Sequence, residues 1–388
     1  MKKQIAYIGI KGLPSKAGAD RVVEGIVQGL NRDLYQPVVY CCARTVPSKT
    51  VIPGVDLVRI FTIPGKYFHA PLLFLFAALH ALLFRRYDLI HVHNVEACFI
   101  VPFLRLRYKV LSTSHGAAQL RDKWSKWAKL AIQLTEYPFV HISNEITSVS
   151  KPLAEHYQEM THRQVHYIPN GVNSVEKIDI AAAKAILEEI GLQEENYIFF
   201  AAGRIIGTKG CHFLLEAMQQ IDTDVKVLVV GDASHMPEYK QHLEALADDR
   251  VHFVPFIADK ATLMGLLRLC RFFVFPSTVE AMSMMLLEAA EVGAPVLCSD
   301  IAENTNVLPQ QARFFHSADV DDLRRQILWA LENPQKMEQL ARDAKAHVDV
   351  EYRWDEIVRQ YQALYARLTN QAVFLGDKIM QETINLPN

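Results

Sequence analysis

The sequence predicts an α/β protein made of two Rossmann-like, doubly wound domains that face a central cleft. Three observations carry this. Short apolar runs, suited to buried parallel strands, alternate with helical patterns through both halves. A chain of 388 residues is too long for one typical core. Pro169-Asn170-Gly171-Val172-Asn173 divides the halves with strong turn residues. The expected domains are 1–172 and 173–354, with a closing segment at about 355–388 that packs back on the first.

In the first half, strands are expected at Gln4–Ile10, Pro37–Cys42, Val55–Phe61, Leu89–His93, Val110–Ser114, Glu145–Val149 and Val165–Ile168. Helices are expected at Val22–Leu30, Leu72–Phe84 and Trp124–Thr135. Ala70 to Phe84 is the most apolar run, broken only by His80. It is too short to span a bilayer, and an all-apolar helix is expected to be buried. In the second half, strands are expected at Tyr197–Ala202, Val225–Val230 and Val251–Val254. Helices are expected at Gly210–Gln219, Glu238–Leu246, Ala261–Leu269, Val320–Glu332, Pro334–Val348 and about Asp355–Leu368.

The stretch from Arg271 to Asp300 organises this half. Phe272–Phe275 reads as a buried strand that Pro276 and Ser277 stop. Ser283 can cap a helix from Met284 to about Val292, which Gly293 and Pro295 end. The next strand begins at Val296. Glu280 lies in the loop before that helix. Glu288 lies one turn inside it, on the face of Met284. Between the two carboxylates, backbone N–H groups at Met284, Met285 and Leu286 offer a phosphate site. The carboxylates themselves suit sugar or ribose hydroxyls. An ordinary βαβ unit with two surface glutamates fits the same spacing.

Ligands of open α/β sheets bind beyond the carboxyl ends of strands. The polar loops there are Gly12–Asp20, His93-Asn94, His115-Gly116, Gly203–Gly210, Gly231-Asp232 and Pro276–Ser283. Gly203-Arg204-Ile-Ile-Gly-Thr-Lys209-Gly210 sets two cations on a glycine-rich loop, which suits a diphosphate. Gly18 would let backbone approach a ligand closely. His91 and His93 alternate along a strand; with no third ligand apparent, a structural role is expected rather than a metal pair. Asp222-Thr-Asp224 and Asp319-Val-Asp321 are expected to be helix N-caps. Leu120, Trp124, Trp127, Ala131 and Leu134 form a helical stripe with lysines beside it. It suits peripheral contact with an anionic membrane, but packing on the first sheet is the preferred reading.

A net charge of −2 offers no global field for nucleic acid. Six scattered cysteines without a Cys-x-x-Cys pair favour reduced thiols and a cytoplasmic location. The residues before the first strand are too few for a signal peptide.

Glu280, seven residues, then Glu288, followed by Ala-x-x-x-Gly-x-Pro-Val, resembles the Glu-x7-Glu signature of glycosyltransferase family 4, the retaining group 1 enzymes of the GT-B fold. The Arg204–Lys209 loop resembles that family's Gly-Arg-x(n)-Lys-Gly loop. His115-Gly116 resembles its active-site histidine, and the Gly12–Asp20 loop resembles its Gly-Gly-x-Glu loop. Here Ala17 replaces the first of those glycines and Asp20 the glutamate; Asp20 can instead cap the helix. Ala281-Met282-Ser283 stands where the family often has Gly-Phe-Gly.

The resemblance implies transfer of a sugar from a nucleoside-diphosphate sugar, with retention, to a glycan or lipid-linked acceptor. It implies that Arg204 and Lys209 hold the diphosphate, Glu288 the ribose and Glu280 the sugar, with His115 near the reacting carbon. Neither a metal nor another cofactor is expected. Alternatives are a nucleotide-sugar epimerase, a phosphorylase, or a non-catalytic two-lobed sugar-binding protein.

Overall fold

The computed structural model describes residues 2–15, 18–63, 65, 68–116, 134–172 and 178–370. The expected Trp124–Thr135 helix and its stripe lie almost wholly outside them.

The first half forms a seven-stranded sheet. Its strands are β1 (Lys3–Ile8), β2 (Tyr35–Cys42), β3 (Asp56–Ile60), β4 (Leu89–His93), β5 (Val110–Ser114), β6 (Glu145–Ser148) and β7 (His166–Tyr167). The order is β3-β2-β1-β4-β5-β6-β7, and every pairing is parallel. The helices are α1 (Gly18–Gly29), α2 (His69–Phe84), the short α3 (Val101–Leu104) and α4 (Lys151–Thr161).

The second half forms a six-stranded sheet, again all parallel. Its strands are β8 (Tyr197–Arg204), β9 (Lys226–Asp232), β10 (Val251–Val254), β11 (Phe272–Phe275), β12 (Val296–Ser299) and β13 (Arg313–Phe315). Around it lie α5 (Ile180–Glu189), α6 (Cys211–Gln219), α7 (Pro237–Leu246), α8 (Lys260–Leu269), α9 (Met284–Glu291), α10 (Ala302–Val307), α11 (Val320–Glu332) and α12 (Pro334–Glu351). The last described helix is α13 (Trp354–Leu368).

Each sheet carries an apolar core on both faces, which is why its strands read as apolar runs rather than as alternating ones. Strand order reverses between β1 and β4 in one sheet and between β8 and β11 in the other. Neighbouring connections leave such a point in opposite directions and open a crevice. The loops after these four strands therefore form the site.

α13 packs on the first sheet. Its Ile357, Val358, Tyr361 and Tyr365 share one core with Ile5, Tyr7, Val23 and Ile26. Trp354, at its start, lies against two glycines. A Cβ on Gly25 would sit 2.4 Å from the indole, and one on Gly171 2.5 Å from it. Here the two chain crossings between the halves run side by side: Val172 N–H donates to Tyr352 O at 2.7 Å.

Three expectations need correction. α2 is not buried all round; Leu73, Phe74, Ala77, Ala78 and Ala81 face the core, while Phe76, Leu79, Leu83 and Phe84 are exposed. Asp319 does cap α11, accepting from Asp322 N–H at 2.8 Å. Asp222 and Asp224, however, lie in the turn between α6 and β9, where no helix begins. Finally, Asp20 is not an N-cap, because α1 already begins at Gly18.

Candidate active site

The second sheet contributes two loops. After β8, Gly207–Lys209 makes one tight turn, and Gly210 follows with φ +71°. A Cβ on Gly210 would lie 2.1 Å from Pro276 O. Only glycine fits there, and its absence of a side chain lets the β8 loop press against the end of β11. Thr278 N–H then donates to Thr208 O at 2.9 Å, tying the loops together. Lys209 Nζ thereby reaches the Glu280 carboxylate in a partly buried ion pair. It also lies 5.9 Å from the centre of the Phe275 ring. Gly203 and Arg204, expected on this loop, instead form the exposed end of β8, which runs two residues further than its apolar pattern. Gly203 has ample room for a Cβ, whose nearest neighbour would be Phe256 at 3.8 Å.

Helix α9 follows the β11 loop. Ser283 occupies its N-cap position, but the hydroxyl makes no cap hydrogen bond. Among the described residues, no side chain is seen to cap the first turn containing Met284, Met285 and Leu286. The other end closes as expected from Gly293: with φ +72° there, Ala294 N–H donates to Ala289 O at 2.9 Å and Gly293 N–H to Ala290 O at 3.0 Å. This fixes the helix so that Glu288 turns inward.

Glu288 is 1% exposed. Lys260 Nζ lies 2.9 Å from its Oε1, and Arg21 Nη1 3.5 Å from the same atom. Two cations compensate the buried charge. Neither contact has hydrogen-bond geometry, so that oxygen keeps unused acceptor capacity among the described residues. Arg21 belongs to α1, so this ion pair joins the two halves across the cleft.

The first sheet contributes the loop before α1. Gly12 has φ +139°, and a Cβ there would lie 2.5 Å from Val46 Cγ2, so its glycine serves the fold. Gly18 is the opposite case: a Cβ would meet none of the described residues within 4 Å. Asp20, expected among the ligand-binding residues, is 3% exposed, and its Oδ1 accepts from Lys11 N–H at 3.2 Å. It holds the loop in place.

His115 is nearly buried at the end of β5. Its Nε2 lies 2.9 Å from His93 Nδ1. His91, two residues back on β4, bonds Tyr365 Oη at 2.9 Å and Thr113 Oγ1 at 2.6 Å. Burial, reinforced by the neighbouring imidazoles, holds His91 and His93 well below the ordinary histidine pKa. Both are therefore neutral. His93 Nε2 is buried without a partner among the described residues. A bare nitrogen tolerates that better than an N–H does, so we assign the His93 proton to Nδ1, donating to His115. His115 then carries its own proton on Nδ1. No three His, Cys, Asp or Glu side chains among the described residues converge as a metal site.

Sequence reasoning missed three residues. Arg21 and Lys260 face Glu288 only because of tertiary placement. Glu303, at the second position of α10, follows β12 closely. Burial raises its carboxyl pKa, and the charge of Glu280 raises it further. Its position just beyond a strand end was the available signal.

Known proteins resemble this chain in sequence and in fold. The profile described as Glycosyltransferase Family 4 matches residues 17–176, and that described as Glycosyl transferases group 1 matches residues 183–347. An uncharacterized glycosyltransferase of Methanocaldococcus jannaschii is 24% identical over 361 residues, covering 88% of this chain and 92% of its own. Sucrose-phosphate synthase from Thermosynechococcus elongatus superimposes with a TM-score of 0.80 at 22% identity, over 95% of this chain and 100% of that one. Anabaena HepE, in complex with UDP and glucose, does so with a TM-score of 0.77 at 18% identity, over 94% and 100%. Both matched halves and the superimposed folds agree: the fold is GT-B, and the chain is a glycosyltransferase belonging to glycosyltransferase family 4, group 1.

Proposed function

We propose that this enzyme moves a sugar from a nucleoside-diphosphate sugar to a hydroxyl of a glycan or lipid-linked acceptor, with retention of configuration. The observation that carries the donor reading is the Lys209–Glu280 pair at the crevice of the second sheet. In the free protein these two groups satisfy each other. An arriving diphosphate competes for Lys209, with Arg204 and the uncapped start of α9 beside it. Glu280 is then released to accept hydrogen bonds from the sugar. The same cations stabilise charge on the departing nucleotide, the electrostatic role that usually dominates catalysis. Glu288, with its unused acceptor oxygen, takes the ribose. HepE, which shares the fold, is seen with UDP and glucose, and this supports the donor class. Retention rests on the family resemblance, with the leaving phosphate assisting the acceptor on the same face.

Calorimetry with bare nucleoside diphosphates tests the division of labour. Glu288→Ala should weaken the best-bound diphosphate about tenfold or more, since ~1.4 kcal/mol is a factor of ten. Glu280→Ala should leave that affinity unchanged or improve it, because Lys209 is freed, while turnover collapses. Equal losses in both variants would sink the assignment.

The positive charge offered to the diphosphate in this reading comes from Arg204, Lys209 and a helix terminus, while Arg21 and Lys260 offset Glu288. Transfer should accordingly persist in EDTA. Activity abolished by chelation and restored by magnesium or manganese would overturn that charge assignment.

A further inference from the structure

Helix α2 has sixteen residues, with no Asp, Glu, Lys or Arg among them. A helix apolar all round normally has both faces covered. Here the inner face meets the core, and the outer face is left exposed. Phe76, Leu79 and Leu83 follow one another at helical spacing, 39%, 44% and 68% exposed. Phe84 ends the stripe.

The stripe continues onto a second element. The single Tyr108 O–H is shared between Ala81 O at 2.8 Å and Arg85 O at 2.7 Å, and the Arg107 guanidinium donates to Leu82 O. These bonds hold the turn after α3 against the end of α2. α3 itself exposes Phe103 at 52%, and the turn exposes Leu106 at 83%. Monomeric proteins rarely leave so continuous an apolar face in water.

Charge identifies the occupant. Arg85, Arg86, Arg107 and Lys109 are exposed around the same end. Arg85 lies 3.8 Å from Asp56. Between residues 68 and 109 the acids are Asp88 and Glu96. Asp88 is bonded to Lys3 at 3.0 Å, and Glu96 is half-buried. An apolar strip edged by cations complements an anionic bilayer surface, with the strip among acyl chains and the cations at head groups. A second copy fits worse, because a two-fold contact would set this cationic edge against itself. No helix of the described residues is long and apolar enough to cross a membrane, so the face can lie on a bilayer but not span it.

We propose that the outer face of α2, with the Phe103–Lys109 segment, seats this enzyme on an anionic lipid surface. This assigns membrane contact to residues other than Trp124 and Trp127. It is independent of the donor reading, since nucleotide binding can fail while seating holds.

Vesicle flotation of the full chain tests it. The protein should float with phosphatidylglycerol-containing vesicles, and much less with phosphatidylcholine alone or in high salt. Leu83→Ser combined with Phe84→Ser removes two exposed side chains. It should lower the bound fraction at least ~10-fold, with melting temperature and nucleotide affinity retained. Arg86→Glu with Lys109→Glu is the second variant, needed if the first loses its fold. It should abolish the preference for anionic lipid. Absence of flotation, or flotation equal to wild type in the folded variants, overturns the proposal. Concentration-dependent dimerisation that the Leu83/Phe84 variant loses, without vesicle binding, assigns the face to a second copy instead.

Discussion

Lys209→Ala should lower kcat by about 100- to 1,000-fold, the usual loss when one preorganised partner of developing negative charge is removed. The structure gives Lys209 a fixed place for this. Gly210 forces its loop against β11, and Glu280 holds the ammonium ready before any ligand arrives. Release of nucleoside diphosphate from the donor, followed over time, measures the effect. Lys209→Arg should recover part of it, since charge is kept but the planar fork cannot reproduce a compact ammonium. A kcat unchanged in the alanine variant would remove Lys209 from the transition state.

Trp354→Ala should destabilise the protein by about 3–5 kcal/mol, the range for deleting a large buried aromatic. Its indole is 9% exposed and fills the space that Gly25 and Gly171 leave by having no side chains. The surrounding backbone belongs to α1 and to the inter-domain crossing, neither of which can collapse inward without breaking other contacts. Urea unfolding followed by circular dichroism reads the change. A loss below ~1 kcal/mol would show that the site relaxes to fill the gap.

Much of the fold was legible because parallel strands covered on both faces must be apolar along their length. Phe272–Phe275 and Leu89–His93 are bounded as expected for that reason. β13, with three residues, is too short to carry a pattern. Helix α4 is polar along much of its length and escaped a reading based on apolar period. Its Ser150 cap, which accepts from Leu153 N–H, and its early proline were the clues available.

In the site, residue types and strand-end positions were legible, but pairings were not. Lys209 and Glu280 are 71 residues apart, and their contact depends on how closely two loops approach. The Arg21 contact to Glu288 depends on how one half sits against the other. The half-exposure of α2 was hidden for a related reason: composition reports that a surface is apolar, not what covers it.

The placement of α13 bears on how the protein is made. Synthesis proceeds from the N-terminus, so the strands of the first sheet leave the ribosome early. The face formed by Ile5, Tyr7, Leu89 and Leu111 is nonetheless covered in part by Ile357, Tyr361 and Tyr365, which are translated only after the whole second sheet. The half that is made first is thus the last to be sealed. During that interval its apolar face is open to water and to other chains, the circumstance in which multidomain proteins misassemble. That interval lasts for as long as the second half takes to be translated.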